Sequence, residues 1–296
     1  MLTIDENTFE VDSPVWPDFL NRRNPESHKG TYGHALLIAG SYGKMGAAVL
    51  AARACLRMGV GLLIVHVPRR GVDIMQVAVP EAMVSIDEDE ARWHHLFTRE
   101  ELSRYDAVAL GPGLGTESTE ALRAIFAACE GLPLVVDADG LNMLSRMDDG
   151  KGLIQRHAAP IVLTPHAKEF ERLFGAFPSE AERLSAQREI SRELGCIIVY
   201  KGHRSQISDR DGKIYRNTTG NAGLATAGSG DVLTGILFSI MSQNKEYHID
   251  VCMCVCLGVW LHGKSGDFAL QKQSECSIVA GDIVKNLKFV TIKETM

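Results

Sequence analysis

The chain has no surplus of basic charge: 31 lysines and arginines face 37 aspartates and glutamates, a formal net charge of −6 over 296 residues. Nothing therefore advertises a face for nucleic acid or an anionic membrane, although that balance still allows a small local anion pocket. The amino terminus, MLTIDENTFEVDSPVWPDFL, has neither a basic leader nor an apolar core of the kind that directs secretion, so the expected location is the cytoplasm. Paired CxxC spacings are missing too. The seven cysteines, an odd number, suit reduced thiols, and Cys252, Cys254 and Cys256 lie two apart, unlike the pairs of zinc sites. A helix would spread them round its circumference as small apolar groups, and the apolar run that holds them is too short for a membrane span. No repeat is evident and no linker interrupts the chain after residue 30. It reads as one catalytic domain, residues 29–296, behind an N-terminal arm, residues 1–28, that carries three prolines and forms an extended arm or an edge element.

What is present is a recurrent succession of apolar strand, turn and helix. His34–Ala39 runs into the loop GSYGKMG and an alanine-rich helix from Ala47 to near Gly59. Lys44 is followed by Met45, so the loop is not a Walker A motif; it either contacts a ligand or lets the helix pack closely. Leu62–Val67 is a strand followed by Arg69 and Arg70, read as solvated charge with phosphate clamping as the alternative. Val77–Ile86 suggests a further strand, and Asp87–Arg104 a surface loop or helix. Ala107–Leu110 enters the rigid turn GPGLG, and Leu134–Asp137 leads to Asp137-Ala-Asp139, two carboxylates that either bind Mg²⁺ or cap the next helix. Ile161–Thr164 leads to His166, a donor to a polar substrate or a brace for its own turn.

Ser179–Leu194 is a charged helix. Cys196–Tyr200 is a strand that opens into Lys201-Gly202-His203-Arg204-Ser205, a basic corner for phosphate or the sugar-base edge of a nucleotide, unless Lys201 merely pairs with a carboxylate. Ile207–Asp209 and Lys213–Tyr215 form a hairpin about Asp211-Gly212. The cysteine segment and Ser277–Lys288 are helices, with His262, Lys264 and Asp267 assigned to surface or capping positions. Ligand candidates cluster in loops that follow strands, which predicts an α/β fold with a mostly parallel sheet covered by helices.

The most informative stretch is NTTGNAGLATAGSGDVLTGILFSIM, residues 217–241. Gly220, Gly223, Gly228 and Gly230 let backbone amides approach an anion, and Asp231 opens an apolar run with helical spacing. A phosphate at that helix amino end would sit beside Asp231, a kinase-like arrangement. The competing reading is a glycine-rich turn in which Ser229 caps the helix and no ligand binds.

Together, KGTYGHALLIAGSYGKMGAA, GPGLG, VVDADGLN, TPHAKEFERL, YKGH and NTTGNAGLATAGSGDVLTGIL resemble the motifs of the NAD(P)H-hydrate dehydratase family over residues 29–290. The resemblance implies a ribokinase-like three-layer α/β/α fold. It implies nucleotide-driven repair of hydrated NADH or NADPH, with ADP or ATP as phosphoryl donor and Mg²⁺ as cofactor. By the same resemblance Ala47, Gly113, Gly115, His166 and Asp231 surround the hydrate, Asp231 holds the place of the catalytic base, and Lys201, Gly202, His203, Arg204, Ser205 and Gly230 contact the adenine nucleotide. The metal ligands are not assigned by it. It further implies a homo-oligomer, such as a tetramer, and a separate epimerase, since the 28-residue leader leaves no room for the epimerase domain fused ahead of this one in many relatives. Ala167 after TPH and Tyr200 before Lys-Gly depart from the common pattern without removing a reactive group. A kinase for hydroxymethylpyrimidine, hydroxyethylthiazole or a related alcohol is the alternative reading, since the GSGD element is shared with such enzymes.

Overall fold

The computed structural model describes residues 1–12, 23–246 and 248–290, so Pro14 and Pro17 of the arm lie outside the described residues. The chain begins with β1 (Leu2–Asp5) and β2 (Thr8–Val11), an antiparallel pair at one edge of the sheet. It continues through β3 (His34–Ile38), α1 (Met45–Arg57), β4 (Leu62–Val67), α2 (Val72–Ala78), β5 (Met83–Ile86), α3 (Arg99–Leu102), β6 (Ala107–Leu110) and α4 (Thr119–Ala128). Next come β7 (Leu134–Val136), α5 (Ala138–Leu144), α6 (Gly150–Arg156), β8 (Ile161–Leu163), α7 (Ala167–Phe174), α8 (Glu180–Leu194) and β9 (Ile197–Tyr200). The hairpin β10 (Gln206–Ser208) and β11 (Ile214–Asn217) precedes three helices, α9 (Ser229–Gln243), α10 (Val251–Leu270) and α11 (Ala280–Val290).

The strands form one eleven-stranded sheet in the order β1-β2-β11-β10-β9-β8-β7-β6-β3-β4-β5. Neighbours from β9 across to β5 are parallel, as is β2 with β11, while β10 runs antiparallel to both β9 and β11. The central strands are apolar without alternation because both faces are covered. In β3, Ala35 and Leu37 join one core with α1, α9 and α10, whereas Leu36 and Ile38 join the other with α4, α5 and α7. This is the three-layer α/β/α arrangement. A third cluster lies outside the first, where Val232, Ile236 and Ile240 of α9 meet Leu257 and Leu261 of α10 and Ile283 and Leu287 of α11. α9 is thus enclosed on every side, which is why its sequence is apolar all round.

Residues Val77–Ile86 do not form one strand. Met75 and Val79 are buried at helical spacing and Pro80 breaks the segment, so α2 precedes a shorter β5. The terminal helix starts at Ala280, after a short turn at Glu275–Ser277. Cys252 and Cys256 face the sheet while Cys254 faces the outer cluster, the distribution expected of a helix. Among the described residues no helix is long and apolar enough to cross a membrane.

Candidate active site

Strand order reverses beside β3, since β4 lies on one side of it and β6 on the other, and loops from adjacent strands diverge there to leave a crevice. The Gly40 loop and the GPGLG turn meet at this point, Gly40 N donating to Pro112 O at 2.8 Å. Gly111, at φ +129°, must be glycine because a Cβ there would overlap the Asp137 carbonyl oxygen. Asp139 ties the two loops together: its carboxylate accepts from Gly115 N at 2.8 Å and from Lys44 Nζ at 3.2 Å. Gly113 lies against Ala47, whose Cβ would be 3.1 Å from a Cβ on Gly113. Ala47, Gly113 and Gly115 therefore form one wall.

On the far side of Asp231 opens a cavity of about 860 Å³ between the β9–β11 edge and the loop before α9. His166, Lys201, Gly202, His203, Arg204, Ser205, Gly230 and Asp231 all line it, whereas Ala47, Gly113 and Gly115 do not. The two groups are neighbours because α1, which carries Ala47, packs directly on α9, which carries Asp231: a Cβ on Gly235 would overlap the carbonyl oxygen of Ala51. The helix cap is Gly228, at φ +87° and without a side-chain cap, so Ser229 does not close the helix end. Ser229, Gly230 and Asp231 of the first turn line the cavity at the amino end of a helix of 15 residues, where unpaired amides and the helix dipole favour an anion.

The loop before the helix is hung from α10. Gly220 N and Asn221 Nδ2 each donate to Asp267 at 3.1 Å, and Thr219 Oγ1 donates to Trp260 O at 2.8 Å. Asp267 therefore pins the glycine loop. His262, assigned to the surface or a cap from sequence, instead lines the cavity with Nε2 3.0 Å from Ser229 O. The apolar residues flanking it turn its helix inward, and the ring is carried with them.

At the floor stands a charge cluster. Asp137, 1% exposed, accepts from Lys201 Nζ at 2.6 Å and from Thr234 Oγ1 at 2.8 Å. It does not cap α5 with its side chain. The following residue, Ala138, holds φ at +46°, a strained value for a residue with a Cβ. Lys201 Nζ is also 3.8 Å from Glu169 Oε2. Burial works against the charge of Lys201, but Asp137 and Glu169 outweigh it and raise its pKa. Burial raises the pKa of Glu169, and burial together with the charge of Asp137 lifts that of Asp231 to about 7. His166 caps α7, its Nδ1 accepting from Lys168 N at 3.1 Å, which leaves the ring hydrogen on Nε2. The brace reading of His166 is met, and the hydrogen on Nε2 faces Glu169 Oε1 at 3.3 Å.

Sequence reasoning gave no role to Glu169 or Thr234. Thr234 is one helical turn beyond Asp231, on the same face, a spacing that could have marked it. Glu169 is hidden inside the capping box it makes with His166.

A family model described as NAD(P)H-hydrate dehydratase matches residues 35–288. The bifunctional NAD(P)H-hydrate repair enzyme Nnr of Moorella thermoacetica is 37% identical over 92% of this chain, which covers 51% of that protein. The chain thus spans about half the length of such bifunctional relatives. The ADP-dependent (S)-NAD(P)H-hydrate dehydratase of Neisseria meningitidis is 35% identical over 90% of this chain and 88% of its own. Among solved structures, the ADP/ATP-dependent NAD(P)H-hydrate dehydratase of Bacillus subtilis, co-crystallised with ATP/Mg²⁺, superposes with a TM-score of 0.78 at 29% identity, covering 95% of this chain and 98% of that one. The chain belongs to the NAD(P)H-hydrate dehydratase family, enzymes of the carbon–oxygen lyase class built on the ribokinase-like fold.

Proposed function

We propose that this enzyme dehydrates (S)-NADH hydrate and (S)-NADPH hydrate at the expense of ADP, releasing AMP and phosphate, with ATP as the alternative donor. The observation that carries the reading is Asp231: a half-buried carboxylate with a pKa near 7, at an uncapped helix amino end, between a large cavity and the Ala47–Gly113 wall. In this reading the adenine nucleotide occupies the cavity with its phosphates toward Gly230, and Lys201 to Ser205 hold it. The hydrated nicotinamide lies against Ala47, Gly113, Gly115 and His166. Asp231 takes the proton of the C6 hydroxyl as that oxygen attacks the terminal phosphoryl group. The ring nitrogen lone pair then expels phosphate from C6, and loss of a proton from C5 restores the double bond. No hydride moves.

The site also fits Mg²⁺. Three carboxylates, Asp137, Glu169 and Asp231, lie around the ammonium of Lys201 on the cavity wall, where a cation could join them as a polyphosphate binds. Mg²⁺ is commonly held by one or two carboxylates together with the substrate phosphates. Asp137 and Glu169 would supply those oxygens, and the ion would neutralise charge on the transferring group.

Homo-oligomeric assembly, as a tetramer, a cytoplasmic location and a separate epimerase that interconverts the hydrate epimers belong to the same proposal. The test mixes purified protein, hydrated NADH, Mg²⁺ and ADP or ATP, and follows recovered dihydronicotinamide absorbance and phosphate release. Absorbance that fails to return with either nucleotide would sink the assignment. A stable phosphorylated alcohol in place of free phosphate would mark a small-molecule kinase.

A further inference from the structure

His262 has no part in the reaction described above, yet its ring contacts the backbone of the turn that presents Gly230 and Asp231. Its Nε2 is 3.0 Å from Ser229 O and 3.1 Å from Ser229 Oγ. A carbonyl oxygen only accepts, so Nε2 carries a hydrogen. Burial lowers the pKa of the ring to about 4, and the charge of Lys201 acts in the same direction, so the imidazole is neutral.

The carbonyl it holds belongs to the peptide between Ser229 and Gly230. That peptide is trans, hence planar, with its C=O and N–H directed oppositely. Fixing Ser229 O from the α10 side therefore fixes the Gly230 N–H toward the opposite side. The fixing is needed because residue 230 is glycine. A Cβ there would lie 3.2 Å from Lys201 Nζ, so the ammonium would have to give by a few tenths of an ångström to admit a side chain. Ser229 O also accepts a hydrogen bond within α9, but glycine in that opening turn weakens the helix end, and the second donor from His262 steadies it. A turned peptide would present the Ser229 carbonyl oxygen, an acceptor, where an anion requires a donor.

We infer that His262 is a positioning residue, a neutral Nε2–H donor that locks the Ser229–Gly230 peptide so that the Gly230 amide faces the nucleotide phosphate. The assignment rests on reading the cavity as the nucleotide site. It predicts an effect on phosphate recognition alone, where a merely structural role would disturb the whole cavity.

Calorimetric titration of wild-type protein, His262→Leu, His262→Asn and His262→Gln with Mg·ADP and with adenosine separates the two. The expected outcome for His262→Leu is a loss of roughly tenfold or more in Mg·ADP affinity, as for one hydrogen bond to a charged group, with adenosine affinity within about twofold of wild type. His262→Asn, too short to reach the carbonyl, should show the same split and keeps the test open if the leucine variant does not fold. His262→Gln places an amide N–H where Nε2 was and should stay within about threefold of wild type for both ligands. Equal losses for Mg·ADP and adenosine, or no loss of Mg·ADP affinity in the leucine and asparagine variants, would overturn the assignment while leaving the reaction proposed above untouched. Conversely, wild-type protein that binds Mg·ADP but dehydrates nothing overturns that reaction, and the comparison of variants still decides the role of His262.

Discussion

A carboxylate with a pKa near 7 is half ionised at neutral pH, close to the optimum for a base that must both take a proton and let it go. Asp231 reaches that value through burial and the nearby charge of Asp137, opposed by Lys201. If it is the base, Asp231→Asn should lower kcat by about a hundred- to ten-thousandfold and leave Mg·ADP affinity within a few-fold. In the wild type, log kcat/KM should climb with pH up to about 7 and then level off. The same shift affects folding. Because the folded-state pKa lies above the unfolded value, the stabilising contribution is fully present below the unfolded value and is lost as pH rises through about 7. Asp231→Asn should therefore raise the Tm of the unliganded protein at pH 8 by a few degrees, and the gain should shrink toward pH 5; a gain that grows on acidification would contradict the shift. Two of the residues that shape this environment, Asp137 and Lys201, could be read in the sequence from their positions at strand ends. Their pairing could not, because 64 residues separate them and only the parallel order β7-β8-β9 brings them together.

At the scale of elements, α9 does most to set the site, and its position depends on close approach to α1. Gly235 permits that approach, so Gly235→Ala should push the helices apart at a cost of about 1–3 kcal/mol, seen as a fall of several degrees in Tm. The cost should come with lost turnover, since the same shift separates Asp231 from Ala47. The loop before α9 answers to a different element. Asp267→Ala removes two hydrogen bonds that hold Gly220 and Asn221, and should raise the KM for nucleotide roughly three- to thirtyfold with kcat at saturation nearly unchanged. The glycine pattern and the apolar run make the loop and helix legible in the sequence itself. The support from α10 was not, because a lone His or Asp at the end of an apolar helix carries no signal of which neighbour it will meet. Similarly, Val77–Ile86 misled because a short apolar run suits either a strand or a buried helix, and Pro80 marks a break in both.

For the whole molecule, repeated strand-loop-helix spacing was enough to give the three layers and the parallel sheet, since two covered faces leave few other arrangements. The order of strands was less accessible. The second N-terminal strand, β2, pairs with β11, more than 200 residues away, because Ile214–Asn217 would otherwise have left an unpaired edge beside the cavity. Burial on both faces has a further consequence for the thiols. Cys55, Cys129, Cys196, Cys252, Cys254 and Cys256 are buried and Cys276 alone is exposed. Burial lifts the thiols of Cys129, Cys196 and Cys254 to about 12, which removes the reactive thiolate. The native protein should thus consume one equivalent of a thiol reagent quickly and the denatured protein seven, making the six slow equivalents an intrinsic clock for opening of the cores. Saturating Mg·ADP should slow that clock in proportion to its affinity, as expected of a ligand that binds only the folded state. A nucleotide that left all six rates unchanged would be bound, if at all, without stabilising the fold.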